Sequence, residues 1–260
     1  MAVFSDLHVG HDQFARRHFK QFIDRHKDHP YTYFIGLGDQ LDCIIQSDYK
    51  RFRLSGIDSR YRDSETPDEL INMQIKDLCD LLEPIRGRLL GLICGNHEDK
   101  LNEKHGINVH RLVCSALGVD NLGYSCLLLL KLANSEGPGR VRSVRIYCHH
   151  GYGGGGRTQG GAITKYSRFI TEYDADVYLT AHDHDMFWKK IARVGINNSG
   201  QMVDRPVILA NAGAFKKTLT DGDVPSWEET RGFPPRLLGG LVLEIEIDRH
   251  GWVDFSVIDG

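Results

Sequence analysis

Arg88-Leu89-Leu90-Gly91-Leu92-Ile93-Cys94-Gly95-Asn96-His97-Glu98 is an apolar run that stops at a glycine and gives way to an amide, an imidazole and a carboxylate. A short apolar run bounded by a turn signal predicts a buried strand, and the polar residues just past it predict a loop delivering side chains to one edge of a sheet. The same form recurs along the chain. Val3-Phe4 leads into Asp6-Leu7-His8, and Tyr31 to Leu37 leads into Gly38-Asp39. Val141 to Cys148 leads into His149-His150-Gly151, and Asp176 to Thr180 leads into Ala181-His182-Asp183-His184. Residues far apart in sequence therefore offer oxygen and imidazole donors from strand ends, where sites of α/β sheets form.

Helical patterns separate the early strands. Phe14 to His26 turns Phe14, Phe19, Phe22 and Ile23 toward a core. Thr66-Pro67-Asp68-Glu69 reads as a helix start, with Thr66 as cap and Pro67 at the first position, running to about Glu83 before Pro84. Later strands are expected at Tyr124 to Leu132, Val207 to Asn211, Leu241 to Ile247 and Trp252 to Ile258, the last pair joined as a hairpin through Asp248 to Gly251. The pattern predicts an α/β fold of two packed mixed β-sheets flanked by helices, formed by residues 1–260 as a single domain.

Composition narrows the function. A formal charge of -3 recommends neither nucleic acid nor an anionic membrane as a partner of the whole molecule. The longest apolar run, around Leu127 to Leu132, is far short of the roughly 20 residues that span a bilayer, and no signal-peptide pattern stands at the N-terminus, so a soluble, cytoplasmic protein is expected. Six cysteines lie singly in apolar stretches and read as reduced core thiols. Histidine, at 13 residues, is in excess of structural need. Nothing in the sequence sets an oligomeric state.

Each polar motif alone is no more than a turn. Together and in this order, Asp6-x-His8, Gly38-Asp39, Gly95-Asn96-His97-Glu98, His149-His150 and His182-x-His184 resemble the signature of the calcineurin-like metallophosphoesterase superfamily. The one departure is Ala181, where that family usually has glycine. The resemblance implies a four-layer αββα sandwich and hydrolysis of a phosphate ester with two divalent metal ions, manganese foremost, with iron, nickel or zinc as alternatives. It implies that Asp6, His8 and His184 bind one ion, that Asn96, the fourth-motif histidine and His182 bind the other, and that Asp39 bridges them. The fourth-motif ligand is His149 or His150. Family members place it directly before glycine, which favours His150 and leaves His149 for phosphate contact. His97 is then the group that touches the phosphoryl oxygen or protonates the leaving oxygen, with Asp42 as the carboxylate that keeps it protonated.

Two further segments bear on substrate. Gly151 to Thr158 lacks the Gly-Lys-Ser/Thr of a nucleotide P-loop, but its Arg157 could clamp a phosphate. At about 45–65, following Gly38-Asp39, a possible substrate-facing insertion interleaves Lys50, Arg51, Arg53, Arg60 and Arg62 with Tyr49, Phe52 and Tyr61, which suits a nucleotide or single-stranded nucleic acid, or else packs its aromatics on the body. The expected activity is a phosphatase or phosphodiesterase, with a nuclease acting on DNA or RNA as the alternative. A non-catalytic scaffold is disfavoured by the complete motif set. A metallo-β-lactamase reading fails, because Met186 and Phe187 occupy its last two ligand positions.

Overall fold

The computed structural model describes residues 1–48, 52–133, 141–154, 158, 160–196, 199–220, 224–247 and 253–260. In chain order the elements are β1 (Ala2–Phe4), α1 (Arg16–His26), β2 (Phe34–Gly36), α2 (Pro67–Leu82), β3 (Leu89–Leu92), α3 (Asn96–His105) and α4 (Val109–Leu117). They continue as β4 (Ser125–Leu132), β5 (Arg142–His149), α5 (Gly161–Ser167), α6 (Phe169–Glu172), β6 (Val177–Thr180), β7 (Met186–Ile191), β8 (Val194–Ile196) and β9 (Met202–Asp204). β10 (Val207–Ala212), α7 (Trp227–Thr230), β11 (Leu241–Ile247) and β12 (Val253–Asp259) complete the set.

Two mixed five-stranded sheets form, ordered β12-β11-β1-β2-β3 and β4-β5-β6-β10-β7. β1, β2 and β3 run parallel in the first sheet, and β5, β6 and β10 run parallel in the second. Alternation along each strand then sorts side chains into layers. Val3, Ile35, Ile146, Cys148, Leu179 and Leu243 meet between the sheets. Phe4, Phe34 and Leu92, on the opposite face of the first sheet, pack with Phe19 and Phe22 of α1, Leu78 of α2 and Val113 of α4. Tyr147, Tyr178 and Leu209 cover the second sheet's outer face with Tyr166 and Phe169 from α5 and α6. This is the expected helix-sheet-sheet-helix arrangement.

Local signals hold at α2, where the Thr66 hydroxyl accepts from the Glu69 amide at 3.2 Å and Pro67 opens the helix. α1 starts at Arg16 rather than Phe14, and Phe14 is buried just ahead of it. α3, α4 and β7 to β9 are additions to the sequence reading. α3 escapes notice because it is nearly all polar, with only Glu98 and Leu101 buried. All six cysteines are free. The expected turn at 248–251 and Trp252 lie outside the described residues. No helix among the described residues is long and apolar enough to cross a membrane.

Candidate metal centre

The donors gather where parallel strands of both sheets run out. Asp6 and His8 follow β1, Asp39 follows β2, Asn96 and His97 open α3 just beyond β3, His150 follows β5, and His182 and His184 follow β6. Backbone pairing continues into these loops: Asp6 N donates to Gly38 O at 3.0 Å, His8 N to Asp39 O at 3.0 Å, and Ala181 N to His150 O at 2.9 Å. Across the two sheets, His182 N donates to Asp6 Oδ2 at 3.1 Å.

The backbone itself marks the site. Among the described residues, positive φ in a non-glycine occurs at Asp6, His8 and Asp39 (49° each), His182 (74°), His184 (54°) and Cys43 (51°). All but Cys43 are expected ligands. Left-handed backbone costs a side-chain-bearing residue on the order of 1–3 kcal/mol and persists where surrounding structure enforces it, typically at functional sites.

Two motif glycines are explained by close approach. A Cβ on Gly38, itself at φ +99°, would lie 2.3 Å from His150 Nδ1, and one on Gly95 would lie 2.1 Å from Asp39 N. Gly95→Ala should therefore push the start of α3 away from Asp39 and strain the bond from His97 N to Asp39 Oδ1, now 2.9 Å. Metal affinity should fall by roughly 10–100-fold, as for loss of a ligand's supporting shell, measured by titration against a competing chelator.

Among the described residues, three sets of donor atoms lie within 4.8 Å of one another: Asp6, His8 and His184; Asp39, His150 and His182; and His8, Asp39 and His97. In the first, His184 Nε2 is 3.3 Å from both Asp6 Oδ1 and His8 Nε2. In the second, His150 Nε2 is 3.3 Å from Asp39 Oδ2 and 3.1 Å from Asn96 Oδ1. Asp39 Oδ2 also lies 4.0 Å from His8 Nε2, so its carboxylate stands between the two sets. His150 Nδ1 donates to Leu37 O at 2.7 Å and His182 Nε2 to Gly153 O at 2.6 Å, which leaves the other nitrogen of each ring as a lone-pair donor.

These residues fit divalent cations. Asp6 is fully buried, yet its Oδ1 has no hydrogen-bond partner, a cost that a cation removes. The donors are carboxylate, amide and imidazole without thiolate, a set suited to manganese, iron, nickel or zinc rather than to a structural zinc site. The electrostatics agree. Burial raises the pKa of Asp6, but His184 and His150 outweigh it and bring it to about 2. Burial lowers the pKa of His150, but the adjoining Asp39 carboxylate prevails and pushes it up to about 10. Burial instead lowers the pKa of His8 and of His182, which favours their neutral, metal-binding form.

The site residues from Asp6 to His184 follow one another in the order on which the resemblance to the calcineurin-like superfamily rests. No family model and no curated protein matches the sequence. Among solved structures it is similar to Entamoeba histolytica Vps29 complexed with zinc, at 15% identity over 99% of this chain and 97% of that one, with a TM-score of 0.40. It is also similar to Haemophilus influenzae NAD nucleotidase, at 9% identity over 99% of this chain and 49% of that one, with a TM-score of 0.46. A metallophosphoesterase from Sphaerobacter thermophilus matches at 11% identity over 85% of this chain and 78% of that one, with a TM-score of 0.34. At these scores the likenesses carry no weight for the site, whose chemistry rests on its own donor atoms.

Not every expected residue enters the centre. His149 is turned to the outer face of the second sheet, among Tyr147, Tyr152 and Phe169, because it alternates with Cys148 and His150, which face inward. Its Nδ1 accepts from Gly151 N at 2.8 Å, and burial lowers its pKa to about 4. The His149 ring, expected at the phosphate, is thus not brought together with the other donors. Asp42 does support His97, but through its backbone: His97 Nδ1 donates to Asp42 O at 2.7 Å. Its carboxylate Oδ1 lies 3.4 Å from His8 Nδ1 and 3.6 Å from His97 Nδ1, between the two rings. Arg157, Tyr49, Lys50 and Arg51 lie outside the described residues. Within the 45–65 segment, Tyr61 is buried and hydrogen-bonded to Asp77, and Arg60 is neutralised by Asp58 and Asp77. That part is structural.

Three residues went unassigned in the sequence. Glu98 is buried and accepts from Asp39 N at 3.2 Å, Leu41 N at 3.0 Å and Gly95 N at 3.0 Å, tying the β2 loop to the start of α3. Its signal was the capping pattern from Gly95 to Glu98. Lys216 and Glu228 form a buried ion pair on the wall of the metal cleft, a cavity of about 310 Å³. No local motif announces them.

Proposed function

We propose that this chain is a dinuclear metal-dependent phosphoesterase, hydrolysing phosphomonoesters or phosphodiesters, with residues 1–260 acting as one domain. The observation that carries the reading is the pair of adjacent donor sets in one cleft, with the Asp39 carboxylate of the second set 4.0 Å from His8 of the first. Asp6, His8 and His184 would hold one divalent ion, Asn96, His150 and His182 the other, with Asp39 between them. Two such ions supply Lewis acidity toward the phosphoryl oxygens and lower the pKa of an attacking water.

The chain's own residues do the rest. Its imidazole ring fixed by the Asp42 carbonyl, His97 presents Nε2 to the cleft. As the water oxygen bonds to phosphorus and the ester P–O bond breaks, the leaving oxygen keeps the electron pair and takes the proton from His97 Nε2, while the water's proton passes to solvent. Glu98 holds Asp39 and the α3 start in fixed relation, so the donors are organised before substrate arrives. Six free thiols suit a reducing compartment such as the cytoplasm.

Protein purified without chelator should contain close to two transition-metal ions per chain by elemental analysis, as the two-ion reading requires. His150→Ala should lose metal, whereas His149→Ala should keep it. A manganese-supplemented screen of phosphomonoesters, phosphodiesters and labelled DNA, with Asp39→Asn as control, then tests activity and separates phosphatase from nuclease. Full activity of metal-free protein in EDTA would refute the mechanism.

A further inference from the structure

Beside the metal cleft lies a second cavity of about 330 Å³, whose walls include His11, Gln13, Phe52, Arg53, Arg62 and Trp227. His11, Ile44 and Trp227 line both cavities, so the two are adjoining compartments of one groove. Each is near the lower end of the size of small-ligand sites.

Three kinds of group face this space. Phe52 is half-buried and offers an aromatic plane, while Trp227 is fixed as a wall by stacking with Phe233 at 5.7 Å and by the Arg231 guanidinium at 5.3 Å. Among the described residues, Arg62 donates to the carbonyls of Ile57 at 2.9 Å and Ser55 at 3.4 Å, and Arg53 to the Thr230 hydroxyl at 3.4 Å. Neither meets a carboxylate among the described residues. Two carboxylates share the wall: Asp12 Oδ1 is 2.8 Å from His11 Nδ1, and Asp42, whose Oδ1 has no hydrogen-bond partner among the described residues, lies between His8 and His97. Gln13 is 3% exposed, and its Oε1 has no hydrogen-bond partner, an acceptor awaiting a donor.

We infer that this cavity is a nucleotide subsite, for a substrate carrying a second phosphate beyond the one at the metal centre. The base stands against Phe52, the second phosphate lies on Arg53 and Arg62, and an amine or hydroxyl of the nucleoside reaches Gln13. This specificity rests on the phosphoesterase reading of the neighbouring cleft. The nucleotide unit could come from a free nucleoside bisphosphate or from a single strand, and the two sources share this chemistry.

The test uses the metal-loaded full chain. Adenosine 3′,5′-bisphosphate, a short single-stranded oligonucleotide and p-nitrophenyl phosphate are compared for binding by calorimetry and for kcat/KM. The Arg53→Ala/Arg62→Ala double variant and Phe52→Ala should each weaken binding and raise KM for the nucleotide probes by roughly 10–100-fold, the range of a lost base stack. Hydrolysis of p-nitrophenyl phosphate should be unchanged, which also certifies the fold of the variants. Response of the oligonucleotide alone, or of the bisphosphate alone, identifies the source. Nucleotide binding that depends on the arginines, without hydrolysis of any probe, would retain the subsite and remove the phosphoesterase reading. Absence of nucleotide binding, or variants that treat all probes as the parent does, would overturn the subsite.

Discussion

Asp39→Ala should lose bound metal and activity together. Its carboxylate belongs to the set with His150 and His182 and also reaches toward the other, with Oδ2 at 3.3 Å from His150 and 4.0 Å from His8, and Oδ1 receiving the His97 amide at 2.9 Å. Removing it deprives both ions of a ligand and unpins α3 at once. The loss in turnover should exceed the roughly 10²–10³ that a single missing electrostatic donor costs. Elemental analysis and steady-state assays on the same preparation check it. A variant that keeps its full metal complement while losing activity would show that Asp39 does not bridge.

His97→Ala should differ in kind. Because the ring is held through Nδ1 by the Asp42 carbonyl, and the bond to Asp39 Oδ1 comes from the His97 backbone amide, its loss removes the proton donor while keeping that backbone bond. Metal content should stay at the parent level, while turnover falls by roughly 10²–10⁴, as for a lost general acid. An alkyl phosphate, whose leaving oxygen needs a proton, should suffer most, and p-nitrophenyl phosphate least. Equal losses on both would make His97 a positioning group. His8, Asp39 and His97 also lie close enough to hold an ion, so metal loss in this variant would instead count His97 among the ligands.

Much of the site was legible because its donors sit in short contiguous motifs at strand ends. The layers followed from the alternation of apolar strands with amphipathic helices. Other features were hidden for identifiable reasons. α3 carries almost no apolar face, so periodicity had nothing to read. The choice between His149 and His150 was open in the motif, and strand parity separates the two, since Tyr147 and His149 face the outer helices while Cys148 and His150 face inward. Asp42 was read from its carboxylate, which lies 3.6 Å from His97 Nδ1, but its carbonyl makes the closer contact at 2.7 Å, and main-chain direction is invisible to residue type. Lys216 reaches the cleft through a bridge between its own loop and Phe14, a pairing of distant segments that no local pattern encodes.

Each donor set draws on both sheets: Asp6 and His8 come from the first and His184 from the second, and Asp39 comes from the first and His150 and His182 from the second. Ions held there act as rivets through the seam of the sandwich, and thermodynamic reciprocity gives this a consequence at a distance. Whatever loosens the apolar seam, for instance a cavity at Ile146 or Leu243, must also loosen the grip on the ions. On the two-ion reading, the interior that lies between the sheets would in this sense be part of the metal site, and its packing would help set metal affinity although it contributes no ligand.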